Sequence, residues 1–190
     1  MAKSTYAPRL KQLYHDQIIA DLKTELKLDN VHQAPKLTKI IVASGVGRNK
    51  DNKHFQEVVA NTLTRITGQK PISRIAKKSI ASFKIRKGMG AAVGQSVTLR
   101  GDKMYEFLDR LANVAMPRIR DFHGAPAKAF DGQGNYNLGL TEQSIFPELT
   151  FEETTTLHGL QITFVIDNGN NEASRKLLEK FGIPFEKEVK

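Results

Sequence analysis

The chain has 190 residues, and its 29 Lys plus Arg exceed its 20 Asp plus Glu to give a formal charge of +9. It contains no Cys, which excludes a disulfide framework, thiolate zinc sites, an iron–sulfur cluster and a cysteine nucleophile. The longest apolar runs, 40–43 and 162–166, are too short to span a bilayer, and the polar stretch from Met1 to Gln17 lacks the apolar centre of a signal peptide. The expectation is a cytoplasmic protein with a single domain over 1–190.

Leu10, Leu13, Tyr14, Ile18, Leu22 and Leu26 recur at helical spacing and predict an amphipathic helix, or two short ones, over 7–28. Leu37 to Ser44 is rich in β-formers and opens into Gly45-Val46-Gly47, a strand followed by a turn. Phe55, Val58, Val59, Leu63 and Ile66 form a second helical stripe, which Gly68 and Pro71 end. The pattern from Pro71 to Ala76 suits a strand. Residues 77–95 are irregular, and Gly88, Gly90 and Gly94 suit a hairpin tip or loop. Over 96–100, Val97 and Leu99 point one way while Ser96, Thr98 and Arg100 point the other.

Asp102 is placed to cap a third helix with the stripe Met104, Phe107, Leu108, Leu111 and Ala115, stopped by Pro117. Residues 118–150 are rich in Gly and Asn and poor in periodicity, which marks a long functional loop. Leu160, Ile162, Phe164 and Ile166 alternate with Gln161, Thr163 and Val165, a half-buried strand. Asn170 or Asn171 can cap a last helix bearing Ala173, Leu177, Leu178 and Phe181, closed by Gly182 and Pro184. This order predicts an α+β two-layer sandwich, an antiparallel or mixed sheet with helices packed on one face. The other face is expected to be polar, and with a basic hairpin beside it such a face suits RNA.

The charge is not spread evenly. Residues 58–101 carry Arg65, Lys70, Arg74, Lys77, Lys78, Lys84, Arg86, Lys87 and Arg100 and no carboxylate, while the rest of the chain balances at 20 basic and 20 acidic residues. Carboxylates near a phosphate would repel it, so their absence points to a polyanion partner. An acidic protein or a membrane surface fits the same charge, but no basic amphipathic helix or lipidation signal favours a membrane.

Catalytic signals are weak. Gly45-Val46-Gly47 lacks the third Gly of a dinucleotide fingerprint, since position 50 is Lys, and Gly88-Met89-Gly90 has Val93 where that Gly belongs. His15, His32, His54, His123 and His158 have no paired metal-ligand spacing and are expected to be surface or cap residues. Glu152 and Glu153 on an extended segment would point to opposite faces and share no metal. No metal or cofactor is expected. The stacking signature of common RNA modules is absent, although Phe83, among basic residues, has a face on which a base can stack.

The stretch GQKPISRIAKKSIASFKIRKG, then SVTLRGDKMYEFLDRL, PRIRDF and FDGQGNYNLGLTEQSIFPE, resembles bacterial large-subunit ribosomal protein five, the "L-five" family, from the N-terminal helix to Phe185. The resemblance implies a non-enzymatic protein of the central protuberance. Its implied partners are 5S rRNA, 23S rRNA, P-site tRNA and small-subunit ribosomal protein thirteen. It implies 5S rRNA contacts at Gln69, Thr98 and Arg100, with Lys70 beside them. It implies tRNA contacts in the 77–87 loop: Lys77, Lys78, Ser79, Phe83, Lys84, Arg86 and Lys87. The bridging surface is implied within 118–147. Two departures stand out. Ala43 replaces the Asn usual before Gly-Val-Gly, so a hydrogen bond expected there is lost or supplied by Ser44. The hairpin around 89–95 is also two residues longer than usual.

Overall fold

The computed structural model describes residues 6–49, 52–82, 85, 87 and 92–186. Its strands are β1 (Lys36–Gly45), β2 (Ile72–Ile75), β3 (Ala92–Leu99), β4 (Tyr136–Leu140) and β5 (Leu160–Asp167). They form one sheet in the order β2-β3-β1-β5-β4, and with the helices this gives the expected α+β class. Alternation decides which face is inside. Ile40, Val42 and Ser44 of β1 are buried, as are Val97 and Leu99 of β3 and Leu160, Ile162, Phe164 and Ile166 of β5. On β1 and β5 the residues between them stay half-exposed or exposed, so one face is core and the other open.

Strand β4 corrects the expectation of an unstructured 118–150. Its Tyr136, Leu138 and Leu140 are buried in alternation. Five residues holding a Gly and flanked by Gly and Asn give a weak strand signal, and the pairing partner supplies the rest. A 3₁₀ turn, Gln143–Ile145, follows it.

Contacts group the chain into two compact units. The first takes the N-terminal segment through Ile40, Leu99–Leu138 and the segment from Thr163 onward; the second takes Ile41–Thr98 and Gly139–Ile162.

In the first unit, α1 (Arg9–Leu13), a π-helical turn (Tyr14–Ile18) and α2 (Ile19–Glu25) run without a break. The buried stripe Leu10, Tyr14, Ile18, Leu22 has a strict four-residue repeat. That repeat outruns an α-helix of 3.6 residues per turn, and the wider π turn absorbs the difference. Helix α3 (Lys53–Thr67) belongs to the second unit, and α4 (Asp102–Arg110) continues the first. Gly101, at φ 61, is the N-cap of α4, and Asp102 makes no capping bond, against expectation; its carboxylate accepts from Lys11 at 2.7 Å instead. The positive φ favours Gly at that position, and Asp102 becomes the first helical residue. A second π turn, Leu111–Ala115, and a 3₁₀ turn holding Pro117 end the stripe. In the last helix of the chain, Asn171–Lys180, Asn170 accepts from the Ala173 amide at 2.8 Å. Phe181 packs on Tyr14 and Tyr105 to close this core, with ring centroids 5.9 and 6.1 Å away.

In the second unit, α3 starts at Asn52, whose side chain accepts from the Phe55 amide, and ends at Gly68 in the left-handed region. It buries Phe55, Val59, Leu63 and Ile66. Helix α5 (Phe151–Thr155) overturns the extended reading of 152–153: Glu153 is buried and closes a capping box with Thr150. Helices of five residues leave almost no periodicity to find, and tertiary packing decides them.

Candidate nucleic-acid interface

The open face of the second unit holds a groove of about 480 Å³, lined by Ala43, Gly45, Arg74, Gly94, Ser96 and Gln161 among others. Its shape follows from the strands. Antiparallel register sets Ile72 opposite Ser96 and Arg74 opposite Gly94, so all four lie on one face. Small residues make the floor. A Cβ on Gly94 would stand 3.3 Å from the Ser44 carbonyl, whereas one on Gly45 would meet nothing within 4 Å.

Arg74 bounds this groove as a fixed cation. Its Nε donates to the Ser96 hydroxyl at 2.9 Å, a diagonal cross-strand bond. Alternation places Ser96 on the polar face, and it lies there, but buried beneath the Arg74 side chain. Among the described residues, no carboxylate lines the groove.

Behind the floor lies a buried polar hub. The Ser44 hydroxyl donates to the Gly159 carbonyl at 2.8 Å and lies 3.2 Å from His158 Nδ1. His158 is buried, which corrects its assignment as a surface residue, and it meets Phe55 edge-on at 6.4 Å. Burial lowers its pKa below the usual 6.5. Gln143, fully buried, donates to the carbonyls of Glu153 and Thr156 and accepts from the His158 amide. It thereby fixes the segment that carries Gly159 to the groove.

Of the residues expected to touch RNA, Ser44 lines the groove, with its one hydroxyl proton committed inward. Gln69 and Lys70 are exposed beyond the end of α3, and the Gln69 backbone is tied to the Thr67 hydroxyl. Thr98 is half-exposed on the open face. Arg100, exposed just past β3, belongs to the first unit. In the loop, Lys77, Lys78, Ser79 and Lys87 are exposed, and the Ser79 hydroxyl accepts from the Lys87 amide at 2.9 Å. Ile80 and Ile85 exchange backbone hydrogen bonds. Phe83, Lys84 and Arg86 lie outside the described residues. Sequence reasoning misses Arg74 and Gln161 as site residues, because only the register of separate strands places them at one groove.

Among the described residues no group of three or more His, Asp or Glu could hold a metal, and no helix is long and apolar enough to cross a membrane. Arg65, counted with the basic segment, pairs with Glu153 at 2.8 Å. Lys70, Arg74, Lys77, Lys78 and Lys87 have no carboxylate partner among the described residues.

Residues 30–86 match the profile of ribosomal protein L5, and residues 92–185 match that of the C-terminus of the same ribosomal family. The chain is 49% identical to the large ribosomal subunit protein uL5 of Flavobacterium johnsoniae over 182 residues, 96% of this chain and 98% of the relative. It is 47% identical to uL5 of Christiangramia forsetii over the same shares, and 50% identical to uL5c of Paulinella chromatophora over 93% of this chain and 97% of that one. An unpaired basic surface on a carboxylate-free groove suits a protein that lives against rRNA, and the chain belongs to the ribosomal L5 family, the non-enzymatic uL5 proteins of the large ribosomal subunit.

Proposed function

We propose that this chain binds 5S rRNA and helps attach it to 23S rRNA in the central protuberance. Its second unit supplies the basic surface: Lys70 holds phosphates while Gln69 and Thr98 set the register, and Arg100 adds a contact from just past β3; Ser44, whose proton goes to Gly159, shapes the floor instead. The observation that carries this reading is the set of exposed cations, Arg74 at the groove among them, that have no carboxylate partner among the described residues. Recognition rests on shape and unpaired bases, since an A-form major groove is too narrow for side chains.

The 77–87 loop, with Lys77, Lys78, Ser79, Phe83, Lys84, Arg86 and Lys87, meets P-site tRNA. Residues 118–147 face small-subunit protein thirteen. Support for the last contact is a preformed turn: Asp131 accepts from the Asn135 side chain and from the amides of Gln133 and Asn135, which together hold its carboxyl below the usual range.

The test is binding of the purified full chain to 5S rRNA and to a length-matched control RNA, with Mg²⁺ present. A stable one-to-one complex, intact RNA and preference for 5S rRNA are expected; equal affinity for both RNAs, or RNA cleavage, contradicts the reading. Arg100→Ala should weaken 5S binding roughly ten- to hundredfold, the worth of one charge-assisted hydrogen bond. A Lys84→Ala, Arg86→Ala double variant should spare 5S binding and loosen P-site tRNA on assembled ribosomes. Equal loss of 5S binding in both would erase this division between sheet and loop.

A further inference from the structure

We propose that the outer edge of β2 is a strand-addition site for an acidic, extended segment of a partner protein. This goes beyond the RNA-binding reading above and does not depend on it.

The two edge strands of the sheet are finished differently. At β4 the Asn137 amide donates to the Ala129 carbonyl at 3.0 Å, and Phe130 forms a backbone bridge to Tyr136, so nearby chain covers that edge. Strand β2 has β3 on one side only, and among the described residues none hydrogen-bonds to its backbone from the other. In an antiparallel pair, alternate residues turn their N–H and C=O groups away from the partner, so this edge presents a row of donors and acceptors that a further strand can take up. All four residues of β2 are exposed.

The side chains point to a peptide as the occupant. Ile72 is 62% exposed and Ile75 is 53% exposed, and alternation sends them to opposite faces of the sheet. Bare β-branched residues on an open edge make a template for pairing. An incoming strand with an apolar residue beside each would cover both while its own backbone meets the edge. An RNA strand has no row of donors and acceptors alternating at that spacing.

Charge selects which peptide. Lys70 precedes the strand, Arg74 lies within it, and Lys77 and Lys78 follow it, all exposed and without a carboxylate partner among the described residues. A second copy of this chain would set the same cations against these, and like charges across a strand pair destabilise it. Carboxylates facing Arg74 and the flanking lysines are attracted instead. The complementary segment therefore carries two apolar residues, at the offset of Ile72 from Ile75, with acidic residues around them.

The probe is a capped, labelled synthetic strand, Glu-Glu-Val-Glu-Thr-Val-Glu-Glu, added to the purified full chain without RNA. Fluorescence anisotropy follows binding, and amide hydrogen exchange reads β2 directly. Saturable binding is expected, with exchange of β2 amides slowed at least ~tenfold. Methylating alternate backbone nitrogens of the peptide keeps its charge, removes its strand donors and should abolish that protection. An Ile72→Ser, Ile75→Ser double variant, altered only at exposed positions and unchanged in charge, should bind at least ~tenfold more weakly.

Absence of binding, binding without new protection of β2, or equal binding of the methylated peptide overturns the proposal. So does equal protection of β2 by a single-stranded RNA, or by the chain itself at raised concentration, since either result gives the edge to another occupant. Should the double variant fail to fold, the methylated peptide, which needs no variant, carries the test. Failure of the chain to bind 5S rRNA would overturn the RNA-binding reading and not this inference.

Discussion

Carboxylate-paired cations are concentrated in the first unit, although Arg118, Arg120 and Lys128 there have no carboxylate partner among the described residues. In the first, Arg9 reaches Asp109 at 2.6 Å, Lys11 reaches Asp102 at 2.7 Å, and Lys180 lies between Asp21 and Glu25 at 3.2 and 2.7 Å. Arg175 and Lys176 pair along their own helix. In the second, Arg65 pairs with Glu153, while Lys70, Arg74, Lys77, Lys78 and Lys87 face no carboxylate among the described residues. A phosphate meeting a paired cation must compete with a carboxylate already in place; an unpaired one offers its full attraction. Net charge therefore locates the partner surface less well than pairing does. Arg65 is the example, because sequence puts it in the acid-free stretch and folding neutralises it with a residue from the other end of its unit.

The largest effect should come from the scaffold under the groove. Gln143→Ala strips partners from a buried carbonyl, a half-buried carbonyl and a buried amide, and should lower unfolding free energy by about 3 kcal/mol at roughly 1 kcal/mol for each. Urea denaturation measures it, and a loss below about 1 kcal/mol would show that the hub does not hold this unit. Next comes pH. His158 has its folded pKa depressed below 6.5 by burial, so the folded state resists taking up a proton that the unfolded chain accepts. Stability is thus fully present above pH 6.5 and falls as pH drops from there through the folded pKa. Its described contacts carry no carboxylate to offset that cost: the Ser44 hydroxyl, the Gly159 carbonyl and the Phe55 ring meet its side chain, and Gln143 accepts from its amide. His158→Gln should flatten unfolding free energy between about pH 7.5 and 5.5, and an unchanged slope would point to another group.

Smallest of all should be Arg9→Ala. Arg9 is 68% exposed in a surface pair, so its loss should leave 5S rRNA affinity unchanged, while Arg74→Ala lowers it. Equal losses would dissolve the contrast between paired and unpaired cations.

Much of the fold is legible in the sequence because its signals are long and periodic. The alternation in 160–166 and the stripe ending at Gly68 each specify one buried face, and Asn170 caps as its side chain allows. Strand β4 and α5 are too short for that, and their state is set by neighbours. The candidate site is half legible. Charge points to the acid-free stretch, but the groove draws on 43–45, 94–96 and 159–161 and on Arg74, which pairing alone brings together. Likewise, a hydroxyl at position 44 reads as available for RNA until Gly159 is seen to accept its proton.

Salt dependence of 5S rRNA binding by the full chain tests the unpaired-cation surface most sharply. If Lys70, Arg74 and Arg100 each neutralise a phosphate, affinity should fall roughly fortyfold between ~50 and ~200 mM salt, at a slope of about −0.9 per phosphate, with preference over control RNA kept throughout. A complex whose affinity hardly changes across that range would contradict it.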